Sequence, residues 1–133
     1  MLHRLPGWEM RLAAFLEERR PQPFAWGTNC CASFGIEWVR ILTGETVWQV
    51  DWTDARGAKT ALERAGGMRA AWEATLGRPS QNWREARRGD VGLIDIDGRL
   101  CGVVCTGTTF AGPGVEKLEF PPLRDVQLVW RVG

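Results

Sequence analysis

Four cysteines and one histidine are the residues of this 133-residue chain best suited to covalent or metal chemistry: Cys30, Cys31, Cys101, Cys105 and His3. Two of the cysteines are adjacent, in the stretch Phe24-Ala25-Trp26-Gly27-Thr28-Asn29-Cys30-Cys31-Ala32-Ser33-Phe34. An apolar, aromatic turn ends at Gly27, and Asn29 is a good N-cap for a helix predicted over residues 30–42. Cys30 and Cys31 would then lie in the first turn of that helix. Unpaired backbone N–H groups and the positive end of the macrodipole collect there, and they push a thiol toward thiolate. Such a thiolate attacks carbonyls or binds metals, and the same N–H groups can form an oxyanion hole. Cys30 is the natural nucleophile. Nucleophilic catalysis also needs a base within hydrogen-bond reach, and the lone imidazole, His3, sits at the opposite end of the sequence. The carboxylates Asp90, Asp95 and Asp97, with ordinary pKa values of about 4, are poor proton acceptors for a thiol.

The same thiols admit two other readings. Cys101 and Cys105 are an even number apart, so a regular strand sends both to one face. Together with Cys30 and Cys31 they could hold zinc or an iron–sulfur cluster. Neither spacing is a standard ligand signature, however, and adjacent helical cysteines diverge by about 100°. In the other reading no metal or cofactor is bound. Cys31 and Cys105 then pack the core, as free cysteines commonly do, while Cys30 and Cys101 line a vestigial pocket.

The elements that must position these residues follow from periodicity. A helix is predicted over residues 7–20, with Trp8, Leu12, Phe15 and Leu16 on one face and Pro21 as its stop. The cysteine helix carries the stripe Cys31, Phe34, Trp38 and Leu42 and ends at Gly44. Residues 46–53 alternate loosely and fit either a short strand or an aromatic loop. Two Ala-rich helices follow, over residues 54–65 and 68–76. A polar loop leads to Arg88-Gly89-Asp90, and the remainder reads as strands over residues 91–96, 99–107, 115–120 and 126–132. Asp97-Gly98 is a strong hairpin turn, and Gly107, Gly112 and Gly114 read as turn residues. Helices first and an antiparallel meander after make an α+β arrangement, a single domain over residues 1–133.

Composition narrows the function classes. A net charge of +1 gives no case for nucleic-acid binding, since the basic clusters are interrupted by Pro21 and Glu85. No apolar run approaches the ~20 residues of a membrane span, and charges inside the first helix do not fit a signal peptide. The expected setting is a cytosol, with the cysteines free rather than bridged. Eight tryptophans with no tyrosine exceed what two helical stripes need. Trp26, Trp48 and Trp52 are candidate contacts for a protein partner, with Trp72 and Trp83 also outside the stripes.

The order of these pieces resembles the NlpC-type cysteine peptidases, papain-like enzymes that cut bacterial cell-wall peptides. Their motif is an Asp-Cys pair at a helix start, a Gly-Asp leading into the first strand, and a His on the second strand. Here Asn29-Cys30 and Gly89-Asp90-Val91 stand at the first two positions. Phe24-Ala25-Trp26-Gly27, Asn29-Cys30-Cys31, Trp38-Val39 with Thr43-Gly44, Arg88-Gly89-Asp90-Val91 and the terminal Val129-Trp130-Arg131-Val132 are similar to a small NlpC-like family. That family is encoded in the tail gene clusters of phages, prophages and gene-transfer agents. Aligning Gly107 with the glycine that ends the peptidase's His-bearing strand puts Cys101 where the base belongs, and Asn29 replaces the acidic residue. The resemblance therefore implies a degenerate NlpC/papain-like scaffold serving as a structural component of a phage-type tail. It would be made in the bacterial cytoplasm, carried in the virion, and bound to a hub or tip protein. Two alternatives are an active peptidoglycan peptidase that uses Cys30 with a borrowed base, and a tail protein with a thiolate-bound zinc or iron–sulfur centre.

Overall fold

The computed structural model describes residues 2–133. Four helices precede an antiparallel sheet of five strands: α1 (Trp8–Arg19), α2 (Ser33–Thr43), α3 (Ala55–Ala65), α4 (Met68–Leu76), β1 (Val91–Ile96), β2 (Arg99–Cys105), β3 (Phe110–Pro113), β4 (Leu118–Glu119) and β5 (Val126–Trp130). The strand order is β4-β3-β2-β1-β5, so the β1–β2 hairpin is central. The α+β arrangement expected from the sequence is present. Among the described residues no helix is long and apolar enough to cross a membrane.

Helix α2 is the buried axis. Phe34, Trp38, Val39 and Leu42 are all nearly inaccessible, and Gly44 closes the helix in the left-handed conformation at φ 81°, where glycine carries no Cβ penalty. Its beginning differs from expectation. The helix starts at Ser33 with Ala32 as N-cap and no side-chain cap, so both cysteines precede it. Asn29 is committed elsewhere. Its backbone exchanges hydrogen bonds with Ala25 (2.9 and 3.0 Å), its Nδ2 donates to the Pro23 carbonyl, and its Oδ1 accepts from Arg19. These contacts close a tight loop over residues 25–29, and a Cβ at Gly27 (φ 84°) would lie 2.2 Å from the Trp52 carbonyl oxygen. Helix α3 shows the capping that Asn29 lacks: the Asp54 carboxylate accepts from the Gly57 N–H at 2.7 Å, a normal N-cap bond.

Residues 46–53 form an aromatic loop with no strand. The hairpin turn at Asp97 (φ 53°) and Gly98 (φ 82°) is as predicted. Three strand boundaries are not. The return strand ends at Cys105, the last strand ends at Trp130, and residues 115–120 supply only the two-residue β4. The missing pairing is made by β3, in the glycine-bearing segment read as turns. Gly112 lies within β3, where a Cβ would sit 2.8 Å from Val103 Cγ1. Close approach, rather than a turn, requires the glycine there.

The sheet separates two apolar clusters. The larger joins α1, α2, α4 and the helix-facing side of the sheet around Phe15, Phe34, Trp38, Trp72, Val104 and Trp130. The smaller holds Ile94, Val103, Cys105, Phe110, Val126 and Val129 on the opposite face, and Cys101 borders both. Trp72 fixes α4 to the core. A Cβ at Gly35 of α2 or at Gly102 of β2 would come within 2.8 Å of its ring, so the two glycines form a slot that the indole fills. Trp72 and Trp52 are only 2% and 5% exposed. They are therefore core residues, which removes Trp52 from the expected contact set and Trp72 from its neighbours.

Candidate functional site

The residues leading into α2 run alongside the first half of β2, at the place where β3 has diverged from it. The Gly102 N–H donates to the Cys31 carbonyl at 2.6 Å. This contact sets the cysteine segment beside the strand that bears Cys101. Cys30 is 0% exposed, its N–H donates to the Ser33 hydroxyl at 2.8 Å, and its sulfur accepts from the same hydroxyl at 3.3 Å. The Cys31 thiol is near enough to shift that of Cys30, and Cys101 near enough to shift Cys31, while the Cys101 thiol donates to the Arg99 carbonyl of its own strand at 3.8 Å.

The three thiols differ in how readily they ionise. The neighbouring Cys31 thiol, reinforced by burial, pushes the Cys30 thiol up to about 12. The contact with Cys101 raises Cys31 as well. Cys101, whose thiol donates to the Arg99 carbonyl, is lowered by the Cys31 thiol and by the Arg99 charge, against the opposing effects of burial, Asp95 and Cys30. A thiolate next to a donor and a cation is stabilised, whereas a buried one without them is not. The expectation of an activated Cys30 is thus corrected. It lies ahead of the helix rather than in its first turn, and it is the most firmly protonated of the three. Of the three, Cys101 alone is shifted toward the thiolate, and it is the half-exposed member.

Cys105 stands apart. It packs against the smaller cluster on the far face of the sheet, four residues and about 13 Å along the strand from Cys101, and burial raises its pKa. The four cysteines therefore do not converge. Among the described residues no group of three or more His, Cys, Asp or Glu side chains is arranged to hold a metal ion.

No imidazole stands beside Cys30, whose side-chain hydrogen-bond partner is the Ser33 hydroxyl. His3 is exposed, and its neighbour Arg4 fixes the N-terminal segment elsewhere. The Arg4 guanidinium bonds the Val132 carbonyl, the Arg88 carbonyl and the Asp90 carboxylate, each at 2.8 Å. Those contacts lie at the Cys105 end of β2, because the Cys105 N–H donates to the Asp90 carbonyl. Arg4 thereby holds the N-terminal segment across the end of the sheet, away from the Cys30 turn.

Asp90 has a structural role that the sequence did not disclose. It is 0% exposed and accepts from Arg4, from the Val132 N–H at 3.1 Å and from the Arg87 N–H at 2.9 Å. It thereby ties both chain ends to the start of β1. The one available signal was a carboxylate placed directly before an apolar strand.

Trp26 and Trp48 are both half-buried. Trp26 meets Phe24 edge-on at 4.8 Å and borders a groove of about 640 Å³ with Cys31, Leu62, Met68 and Arg99. Trp48 leans on Trp52 at 5.4 Å and borders a different groove of about 350 Å³ with Arg19, Glu37 and Arg40. Cys101 faces a third groove of about 630 Å³, rimmed by Asp95, Asp97, Glu119, Phe120 and Asp125.

No curated protein and no solved structure matches the chain. Residues 3–132 match the family described as "Domain of unknown function (DUF6950)". This match spans nearly the whole sequence, and the chain belongs to that family.

Proposed function

We propose that the protein is a structural component of a phage-type tail, built on an NlpC/papain-like scaffold that has lost its catalytic base. The observation that carries the non-enzymatic half of this reading is the state of Cys30: sealed from solvent, protonated, partnered by a hydroxyl and neighboured by a second thiol. A cysteine peptidase needs that sulfur accessible and paired with a base. The tail assignment is supported by the sequence motifs around residues 24–31, 38–44, 88–91 and 129–132. Its partner would be a hub or tip protein, met through Trp26, Trp48 and the loop over residues 43–54. Delivery in an assembled particle would place the chain in the virion after synthesis in the bacterial cytoplasm.

Two measurements test this. Co-expression with the neighbouring tail genes, followed by sedimentation of assembled tails, is expected to place the chain in the particle fraction. Recovery entirely in the soluble fraction contradicts the tail role. Digestion of purified peptidoglycan by wild type and Cys30→Ser is expected to give the same background signal. Cleavage by wild type that the substitution abolishes restores the peptidase reading.

A further inference from the structure

Cys31 and Cys101 are joined by more than proximity of side chains. The 2.6 Å bond from the Gly102 N–H to the Cys31 carbonyl joins the peptide unit that follows Cys101 to the one that follows Cys31, which brings their Cα atoms into the range, up to about 7 Å, that a disulfide tolerates. Access to the two sulfurs is unequal. Cys31 is buried and Cys101 half-exposed, with Cys101 opening onto the groove of about 630 Å³. A small oxidant can therefore reach one sulfur of the pair while the other waits beside it.

We propose that Cys101 is a hydroperoxide-reactive thiol and Cys31 its resolving partner, the two closing into a disulfide that clips the lead-in of α2 to β2. In the first step the Cys101 sulfur attacks one oxygen of the hydroperoxide. The O–O bond breaks, the sulfur is oxidised to a sulfenic acid, and the departing oxygen takes a proton to leave as water or an alcohol. In the second step the Cys31 sulfur attacks the Cys101 sulfur. The S–O bond breaks, hydroxide departs with the Cys31 proton as water, and a disulfide remains. Two thiols and one hydrogen peroxide thus give one disulfide and two waters. Cys101 is suited to attack because it is the half-exposed thiol that opens onto a groove. The Cys31 thiol and the Arg99 charge also shift it toward thiolate, the reactive form on the oxidation ladder, against burial, Asp95 and Cys30. Cys30 is protonated and solvent-free, and Cys105 lies about 13 Å along the strand from Cys101, so neither enters the reaction. The inference stands apart from any tail role.

The test treats the purified full chain with hydrogen peroxide, then denatures it and titrates its thiols with a chromogenic disulfide. Four free thiols are expected to fall to two, and peptide mapping without reductant is expected to link Cys31 to Cys101. Cys30→Ser is expected to form the same link. Cys101→Ser is expected to keep its remaining thiols, and Cys31→Ser to stop at a sulfenic acid on Cys101 that dimedone captures. Should Cys31→Ser fold poorly, dimedone capture in wild type at early times, absent from Cys101→Ser, reads the same first step. Retention of all four thiols overturns the proposal, as does a link involving Cys30 or Cys105.

Discussion

The N–H of Gly102 meets the carbonyl of Cys31 at 2.6 Å, and a Cβ added to Gly102 would lie 2.7 Å from that same oxygen. Position 102 therefore has no room for a side chain on either count: backbone in front of it and the Trp72 ring at 2.8 Å above it.

Gly102→Ala is accordingly expected to destabilise the fold by about 1–3 kcal/mol, the usual cost of overpacking a close-packed site. Because the nearest atom is backbone, the strain cannot be relieved by a rotamer change. Urea unfolding followed by tryptophan fluorescence measures it. Met10→Ala, at a site 80% exposed, is expected to stay within about 0.5 kcal/mol of wild type. Equal midpoints for Gly102→Ala and wild type would refute the packing argument.

The Arg4–Asp90 pair makes a second prediction. The Asp90 side chain is 1% exposed and that of Arg4 16%. Removing one partner of a buried pair leaves an uncompensated charge and costs about 3–5 kcal/mol. Asp90→Ala is expected to fall in that range, since it also abandons the Val132 and Arg87 N–H groups. Arg4→Ala leaves the buried Asp90 carboxylate with only the Val132 and Arg87 N–H groups and is expected to fall in the same range. A double-mutant cycle on the two is expected to be non-additive, and simple addition would show that they do not act as a unit.

Much of this architecture was legible from local pattern. The stripe Phe34, Trp38 and Leu42 identified α2 as core, and Asp97-Gly98 identified the hairpin, because both signals are complete within a few residues. The start of α2 was not legible. Asn29 has good capping chemistry, but it is drawn away by Arg19, Pro23 and Ala25, and such tertiary claims leave no mark in a short window. Gly112 and Trp72 misled for related reasons: the first is a glycine needed for contact rather than for a turn, and the second fills a slot made by Gly35 and Gly102, distant in sequence. At the candidate site only the peptidase resemblance implied Cys101 opposite the α2 lead-in, and the residues themselves left the convergence of all four thiols open. It could not reveal that Cys105 lies on the other cluster, nor that burial and the Cys31 contact would reverse the expected ionisation of Cys30.

Alkaline stability reports on that ionisation. The Cys30 pKa is raised from 9.0 to about 12 in the folded chain, so the native state keeps a proton that the unfolded chain releases. The contribution is fully present below about pH 9 and is lost as pH rises toward 12, because the native state binds more protons across that interval. Urea midpoints of wild type are expected to fall over this window more steeply than those of Cys30→Ala. Parallel pH profiles would show that Cys30 ionises as readily folded as unfolded.

Native-state alkylation, with peptide mapping of each cysteine after brief exposure to iodoacetamide at pH 8, reads the accessibility and protonation of Cys30 at once. The structure predicts modification at Cys101, with Cys30 unmodified until the protein is denatured. Labelling of Cys30 in the folded protein as fast as Cys101 would mean an exposed, ionised sulfur, and the account of a silent nucleophile would be wrong.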